Sequence, residues 1–240
     1  MTPQPVPTVV LVHGAWHGPW AWDAVAEHLH SAGADVITVD LPSAGAGASS
    51  LGDLYDDARV IRAAVDGASG PAVVVAHSYG GLPVTEGLAG AVNAAHLIYL
   101  ASFMLDEGQS LLGLRQGIEP DWWLTSDDGY TLLPDEPRRV FYGDCQPGVA
   151  ARAEAALVPH RKDSFRQELR AVAWREVPST YVICELDNAI PPAAQERMSA
   201  HAGAVHRLES SHSPFLSRPA DVCAIIRDVL DGLMPSGHLR

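Results

Sequence analysis

The chain has 240 residues, enough for one large domain or for a core with an insertion, and long enough to bury a substantial interior. Apolar residues make up 47% and charged residues 19%, the balance of a globular rather than a disordered chain. A formal net charge of −13 argues against nucleic acid or an anionic membrane as partner, because both require a basic surface; it selects no substrate. Cys145, Cys184 and Cys223 are widely spaced and form no C-x-x-C pair, so neither a disulfide framework nor a zinc site is expected. The first residues carry no basic stretch, and the apolar run at 9–12 is far too short for a signal or a membrane span. The expectation is a cytoplasmic protein.

Val9-Val10-Leu11-Val12 is a short β-branched run, as a strand buried on both faces should be. It ends at the loop His13-Gly14-Ala15-Trp16-His17-Gly18-Pro19, followed by a helix over 20–31 that Gly33 closes and a strand over 35–39. Beyond a Gly/Ala/Ser-rich loop, 51–68 reads as a helix with Leu54, Ala58, Ile61 and Val65 on one face. A strand over 72–76 runs into Ser78, then a helix over 79–91 that tolerates Pro83 in its first turn, then a strand over 95–100. This alternation implies a mostly parallel, doubly wound α/β sheet with helices on both faces. Residues 103–174 break the rhythm. They show no clear strand, contain Trp122, Trp123 and the acidic Asp121, Asp127 and Asp128, and suggest helices near 148–158 and 163–173. They read as an inserted, largely helical cap over a core of 1–102 and 175–240. The alternation resumes with a strand over 180–184, a helix over 192–202, a strand over 204–208 and a last helix over 219–233.

The stretch from Val73 to Gly81 is an apolar strand, a tight turn with Ser78 at its apex, and the start of a helix. That is the nucleophile elbow G-x-S-x-G, with Ala76 where the first glycine would stand. The turn strains the serine backbone and brings its flanks together, so these must be small, and Ala76 and Gly80 both qualify. A serine hydroxyl becomes nucleophilic only when a base takes its proton and an acid orients that base. In the order serine, acid, histidine, the base is His212, which follows a strand and precedes the last helix. His201 and His206 fall on a helix and a strand, and His238 in the terminal tail. The acid is Asp187, just past the strand ending at Cys184, at the carboxyl edge of the sheet. Glu185 is its nearest rival; Asp106 and Glu107 occupy another strand end, and Asp40 precedes the serine.

Backbone N–H groups of Ala15 and Tyr79 are expected to form the oxyanion hole, with Gly14 allowing close approach and Tyr79 at a helix N-terminus. His13 and His17 have no third ligand at matching spacing, so no metal is expected. Phe103, Met104, Leu105, Trp122, Trp123 and Tyr130 are candidates for an apolar pocket under the cap, and each equally fits the cap's own core. The substrate-binding set is Trp16, His77, Phe103, Trp122 and Trp123, with Tyr79 beside the nucleophile as the pocket residue that follows most directly from the elbow.

The run from His13 to Trp22, the His77-Ser78-Tyr79-Gly80-Gly81 elbow, Asp187-x-x-Ile190-Pro191 and His212-Ser213-Pro214-Phe215 together resemble the plant methylesterase and hydroxynitrile lyase family. They resemble still more the short bacterial esterases related to it, which include pyrethroid-hydrolase-like enzymes. The resemblance spans the core in order, whereas the cap matches loosely. It implies the α/β-hydrolase fold and a carboxylic-ester hydrolase needing no cofactor, with Ser78, Asp187 and His212 as its triad and a small-molecule ester as its partner. A homodimer is a possible assembly. Lyases of that family carry threonine just after the first-loop histidine and lysine just after the catalytic one. Here Gly14 and Ser213 stand at those places, which favours the esterase. The alternatives are lyase-type C–C cleavage and a non-hydrolytic small-ligand binder on the same scaffold.

Overall fold

The computed structural model describes residues 6–47 and 50–233. Strand β1 (Thr8–Val12) is followed by helix α1 (Asp23–Ser31), β2 (Asp35–Val39), α2 (Leu54–Asp66), β3 (Ala72–His77), α3 (Gly81–Gly87) and β4 (Ala94–Leu100). An inserted segment then holds α4 (Leu111–Leu114), β5 (Trp123–Thr125), β6 (Thr131–Pro134), α5 (Pro137–Phe141), α6 (Pro147–Ala155) and β7 (His160–Arg161). The chain returns through β8 (Ser179–Cys184), α7 (Pro192–Ser199), β9 (Ala204–Leu208), α8 (Pro214–Ser217) and α9 (Pro219–Leu233).

Six strands form one parallel sheet in the order β2-β1-β3-β4-β8-β9. Every residue of β1 and β3 is buried, which is why both read as unbroken β-branched runs. Side chains alternate between two apolar layers. Val10, Val12, Val74 and Ala76 face the layer that includes Leu54 and Ile61 of α2, Leu82 of α3 and the inserted segment. Val9, Leu11, Val73 and Val75 face the layer of Val25 and Leu29 from α1 with Val222 and Ile226 from α9. Val12 pairs with Ala76, so the loop after β1 and the turn after β3 leave the sheet side by side. The strand order reverses there, and ligands of doubly wound sheets bind in that crevice.

The inserted segment differs from its expectation. It is mixed rather than largely helical, with β5, β6 and β7 forming a three-stranded antiparallel sheet. Strands β5 and β6 join through Asp127-Asp128-Gly129, where Gly129 has φ +77°, a turn that favours glycine. Most of the helix expected over 163–173 is absent; short 3₁₀ turns at Lys162–Phe165 and Ala173–Arg175 flank irregular chain. Tertiary bonds hold that chain open. Glu86 accepts the backbone N–H groups of Arg170 and Ala171 at 2.7 and 3.2 Å, and Gln167 accepts the Leu54 N–H at the start of α2.

The elbow's flanks are not equally constrained. A Cβ at Gly80 would lie 2.6 Å from the His13 carbonyl oxygen, a contact with rigid backbone, whereas Ala76 already fits fully buried. Gly80→Ala is therefore expected to cost about 2 kcal/mol or more by overpacking. Ala76→Gly should cost about 1 kcal/mol through backbone entropy. Urea titrations of both variants measure this, and equal midpoints would deny the backbone contact its role.

Candidate active site

Ser78 sits at the apex of the turn after β3 with φ +52°, a left-handed conformation that strains a residue bearing a Cβ. The strain is held from outside: the Ser78 carbonyl accepts the Ser102 hydroxyl at 2.8 Å and the Phe103 N–H at 3.1 Å. The Ser78 hydroxyl lies 2.9 Å from His212 Nε2, and His212 Nδ1 lies 2.7 Å from Asp187 Oδ2. With Nδ1–H donating to the carboxylate, Nε2 keeps the lone pair that can take the serine proton. All three residues are buried, so water competes little for these bonds.

Asp187 is held in turn by four donors. Oδ1 accepts the N–H groups of Ala189 and Ile190 at 2.7 and 2.9 Å, and Oδ2 accepts both His212 Nδ1–H and Gln195 Nε2–H, the latter at 2.8 Å. Gln195 is fully buried on α7, and its Oε1 accepts the Cys184 N–H at the end of β8. It thereby ties the acid to the strand that carries it. Sequence reasoning missed Gln195. Its position in the first turns of a helix gave no sign that it points back at the preceding loop.

The rival acids lie elsewhere. Glu185 is exposed and faces Arg207 at 3.6 Å, Asp106 and Glu107 face Arg175, and the Asp40 side chain is 78% exposed. His201 stacks on Trp174, His206 lies on β9, and His238 falls outside the described residues.

Beside Ser78, the loop after β1 passes so close that a Cβ on Gly14 would meet His77 Nδ1 at 2.7 Å and Ser78 Cβ at 2.9 Å. Ala15 and Tyr79 both border the cavity above Ser78, and among the described residues neither backbone N–H has an acceptor. The loop is fastened to the inserted segment. Trp16, at φ +65°, donates Nε1–H to the Leu132 carbonyl at 2.9 Å and accepts the Val158 N–H at 2.9 Å. His17 donates Nδ1–H to the Ala15 carbonyl at 2.8 Å and accepts the Tyr142 hydroxyl at 2.8 Å. Burial pushes the His17 pKa down to about 3, which keeps the ring neutral as both bonds require. His13 likewise spends both ring nitrogens, on the Gly14 carbonyl and the Leu41 N–H. Neither histidine has a lone pair to spare for a metal.

A cavity of about 370 Å³ opens over Ser78 and His212. Trp16, Phe103, Trp122 and Trp123 are on its lining, together with Phe141 and Phe165 of the inserted segment. Sequence reasoning missed those two phenylalanines: no pattern assigned the stretch around Phe141, and Phe165 fell in a helix expected over 163–173 that carried no sign of facing the cavity. Met104 and Leu105 are buried in the core, and Tyr130 is 59% exposed. His77 is a correction. It does not line the cavity: the alternation that sends Val73 and Val75 to the α1/α9 layer sends His77 there too. Its Nε2–H donates to the His212 carbonyl at 2.9 Å and its ring packs on Phe215, so it supports the His212 loop from below. Tyr79 borders the cavity, but its hydroxyl is committed to Asp57 at 2.7 Å. Asp57 also accepts the Ser43 N–H and hydroxyl, and burial raises its pKa to about 6.

Comparison with known proteins gives a consistent result. The model of the family described as "Alpha/beta hydrolase family" matches residues 9–225. An alpha/beta hydrolase, nvfD of Aspergillus novofumigatus, is 28% identical over 92% of this chain and 96% of its own. Methyl jasmonate esterase 1 of Vitis vinifera is 26% identical over 92% and 96%. The crystal structure of a pyrethroid hydrolase from Sphingobium faniae superimposes with a TM-score of 0.82 at 25% identity, covering 95% of this chain and 98% of that one.

Removing Gln195 should disturb the acid without touching the cavity. Gln195→Leu is expected to slow the maximal rate at which a fluorophosphonate labels Ser78 about tenfold, by leaving Asp187 short of a buried donor. The probe's half-saturation concentration should stay within about twofold. A shift of the saturation term alone would make Gln195 a packing residue rather than a positioning one.

Proposed function

The chain belongs to the alpha/beta hydrolase family, and on that premise we propose that it is a serine esterase cleaving a small hydrophobic carboxylic ester through an acyl-enzyme. One observation carries the reading: an unbroken hydrogen-bond chain from Ser78 through His212 to Asp187, opening on an apolar cavity beside two unpartnered N–H groups.

In this mechanism the Ser78 oxygen attacks the ester carbonyl carbon while His212 Nε2 takes the hydroxyl proton. The carbonyl oxygen, now carrying the negative charge, accepts the Ala15 and Tyr79 N–H groups. As the tetrahedral intermediate collapses, the ester C–O bond breaks and His212 passes its proton to the leaving alkoxide, releasing the alcohol. Water then attacks the acyl group with His212 again taking a proton, and the acid leaves as Ser78 recovers its hydrogen. Asp187 holds the imidazole in the required tautomer throughout and pairs with the imidazolium when it forms. The likeness to a grape methyl jasmonate esterase supports ester cleavage, and the likeness to a Sphingobium pyrethroid hydrolase supports hydrolysis. The lyase alternative lacks the lysine that such lyases carry just after the catalytic histidine: that residue is the buried Ser213, and the cations on the cavity lining are the exposed Arg115 and Arg197.

A panel of methyl, aryl and lactone esters offered to wild type and to Ser78→Ala tests the proposal. The variant is expected to lose about 10⁴-fold or more of kcat while keeping the wild-type fold by circular dichroism. Retained turnover would refute the nucleophile. Tight binding of a product acid, with no ester cleaved by wild type, would replace the esterase with a ligand-binding protein.

A further inference from the structure

The cavity has a closed end and an open one. Trp16, Phe141 and Phe165 are buried, whereas Leu114 and Ile118 on its lining are 45% and 64% exposed and mark the mouth. Two segments border that mouth. Helix α7 contributes Ala193, Ala194 and Arg197 at the spacing that keeps side chains on one face, and α4 with the turn that ends it contributes Leu114, Arg115 and Ile118. Each wall therefore carries one exposed arginine.

Neither guanidinium pairs with a carboxylate among the described residues. Arg115 donates only its Nε–H, to the Ile118 carbonyl at 3.0 Å, which steadies the side chain and leaves its terminal nitrogens free. Elsewhere on the inserted segment, Arg138, Arg139 and Arg166 pair with Glu154, Glu136 and Glu119. Arg152 and Arg227 also lack a carboxylate partner among the described residues, but only Arg115 and Arg197 line the apolar cavity. A guanidinium is the side chain best suited to grip a carboxylate.

We propose that Arg115 and Arg197 form an anion subsite at the cavity mouth, and that the substrate is an apolar ester carrying a second, free carboxylate distal to the ester. The ester rests on the reading given above; the anion subsite stands on the mouth alone. With the scissile carbonyl over Ser78 and the apolar body against the aromatic end, the distal carboxylate emerges between α4 and α7. Such a substrate is a half-ester of a dicarboxylic acid. The reaction that supplies it must leave one of two carboxyl groups esterified.

The test uses Ser78→Ala, which cannot consume its ligand, with Trp16, Trp122 and Trp123 reporting occupancy by fluorescence. Its probes are monomethyl suberate and the neutral dimethyl suberate, and the quantity read is the ratio of their Kd values. Arg115→Gln and Arg197→Gln together are expected to shift that ratio about tenfold against the monoester, in line with two partly exposed ion pairs. About 0.5 M salt should erode the ratio in the parent but not in the double variant. Arg152→Gln, which removes an exposed arginine away from the cavity, controls for net charge and should leave the ratio unchanged. A ratio within twofold of the parent's, or no saturable response to the monoester, overturns the subsite. Should the ratio shift as expected while wild type cleaves neither ester, the subsite stands and the esterase reading fails.

Discussion

A Cβ on Gly80 would strike the His13 carbonyl at 2.6 Å, and one on Gly14 would strike the His77 ring at 2.7 Å, so the loop after β1 and the turn after β3 meet almost backbone to backbone. The rest of the site depends on that approach. It follows from the parallel pairing of Val12 with Ala76, which releases both loops from adjacent strand ends. The left-handed turn at Ser78 and the position of Ala15 and Tyr79 beside one another at the cavity follow from it. Glycine stands at the two contact points because nothing larger fits, and alanine at position 76 because that flank faces the α2/α3 layer rather than the other loop.

A second layer of constraint comes from the inserted segment. Through Leu132, Val158 and Tyr142 it fastens Trp16 and His17, the residues that follow the Ala15 N–H. The segment that shapes the cavity's aromatic wall is thus also the one that holds the loop carrying Ala15. Changes to the insert that reshape the cavity are expected to move Ala15 as well. The same economy appears on the acid side, where Gln195 links Asp187 to the end of β8. Beneath the nucleophile, Asp57 anchors the Tyr79 ring through its hydroxyl.

What could be read from the sequence was what the sheet imposes. Strands β1 and β3 are buried on both faces and so appear as apolar runs, and Ser78, Asp187 and His212, which order along the chain singles out beyond strand ends, are joined by hydrogen bonds. What could not be read was what tertiary contact imposes. The 163–173 stretch has helical composition, but Glu86 and Gln167 capture its neighbourhood and keep it irregular. Strands β5 to β7 are two to four residues long, too short to show a period. His77, expected at the substrate, lies on the opposite layer, where its parity with Val73 and Val75 directs it. Phe141 and Phe165 reach the cavity from the inserted segment and Gln195 turns back onto the loop before its helix, and no local pattern marks any of them.

The central claim is that Ser78 carries the acyl group between the two halves of the reaction. Rapid acid quenching during turnover of an activated aryl ester, followed by peptide mass spectrometry, tests it most directly. One acyl group on the Ser78-containing peptide, appearing in step with a burst of the released phenol, is the predicted result. A burst with that peptide unmodified, or with the acyl group on another residue, would contradict the account.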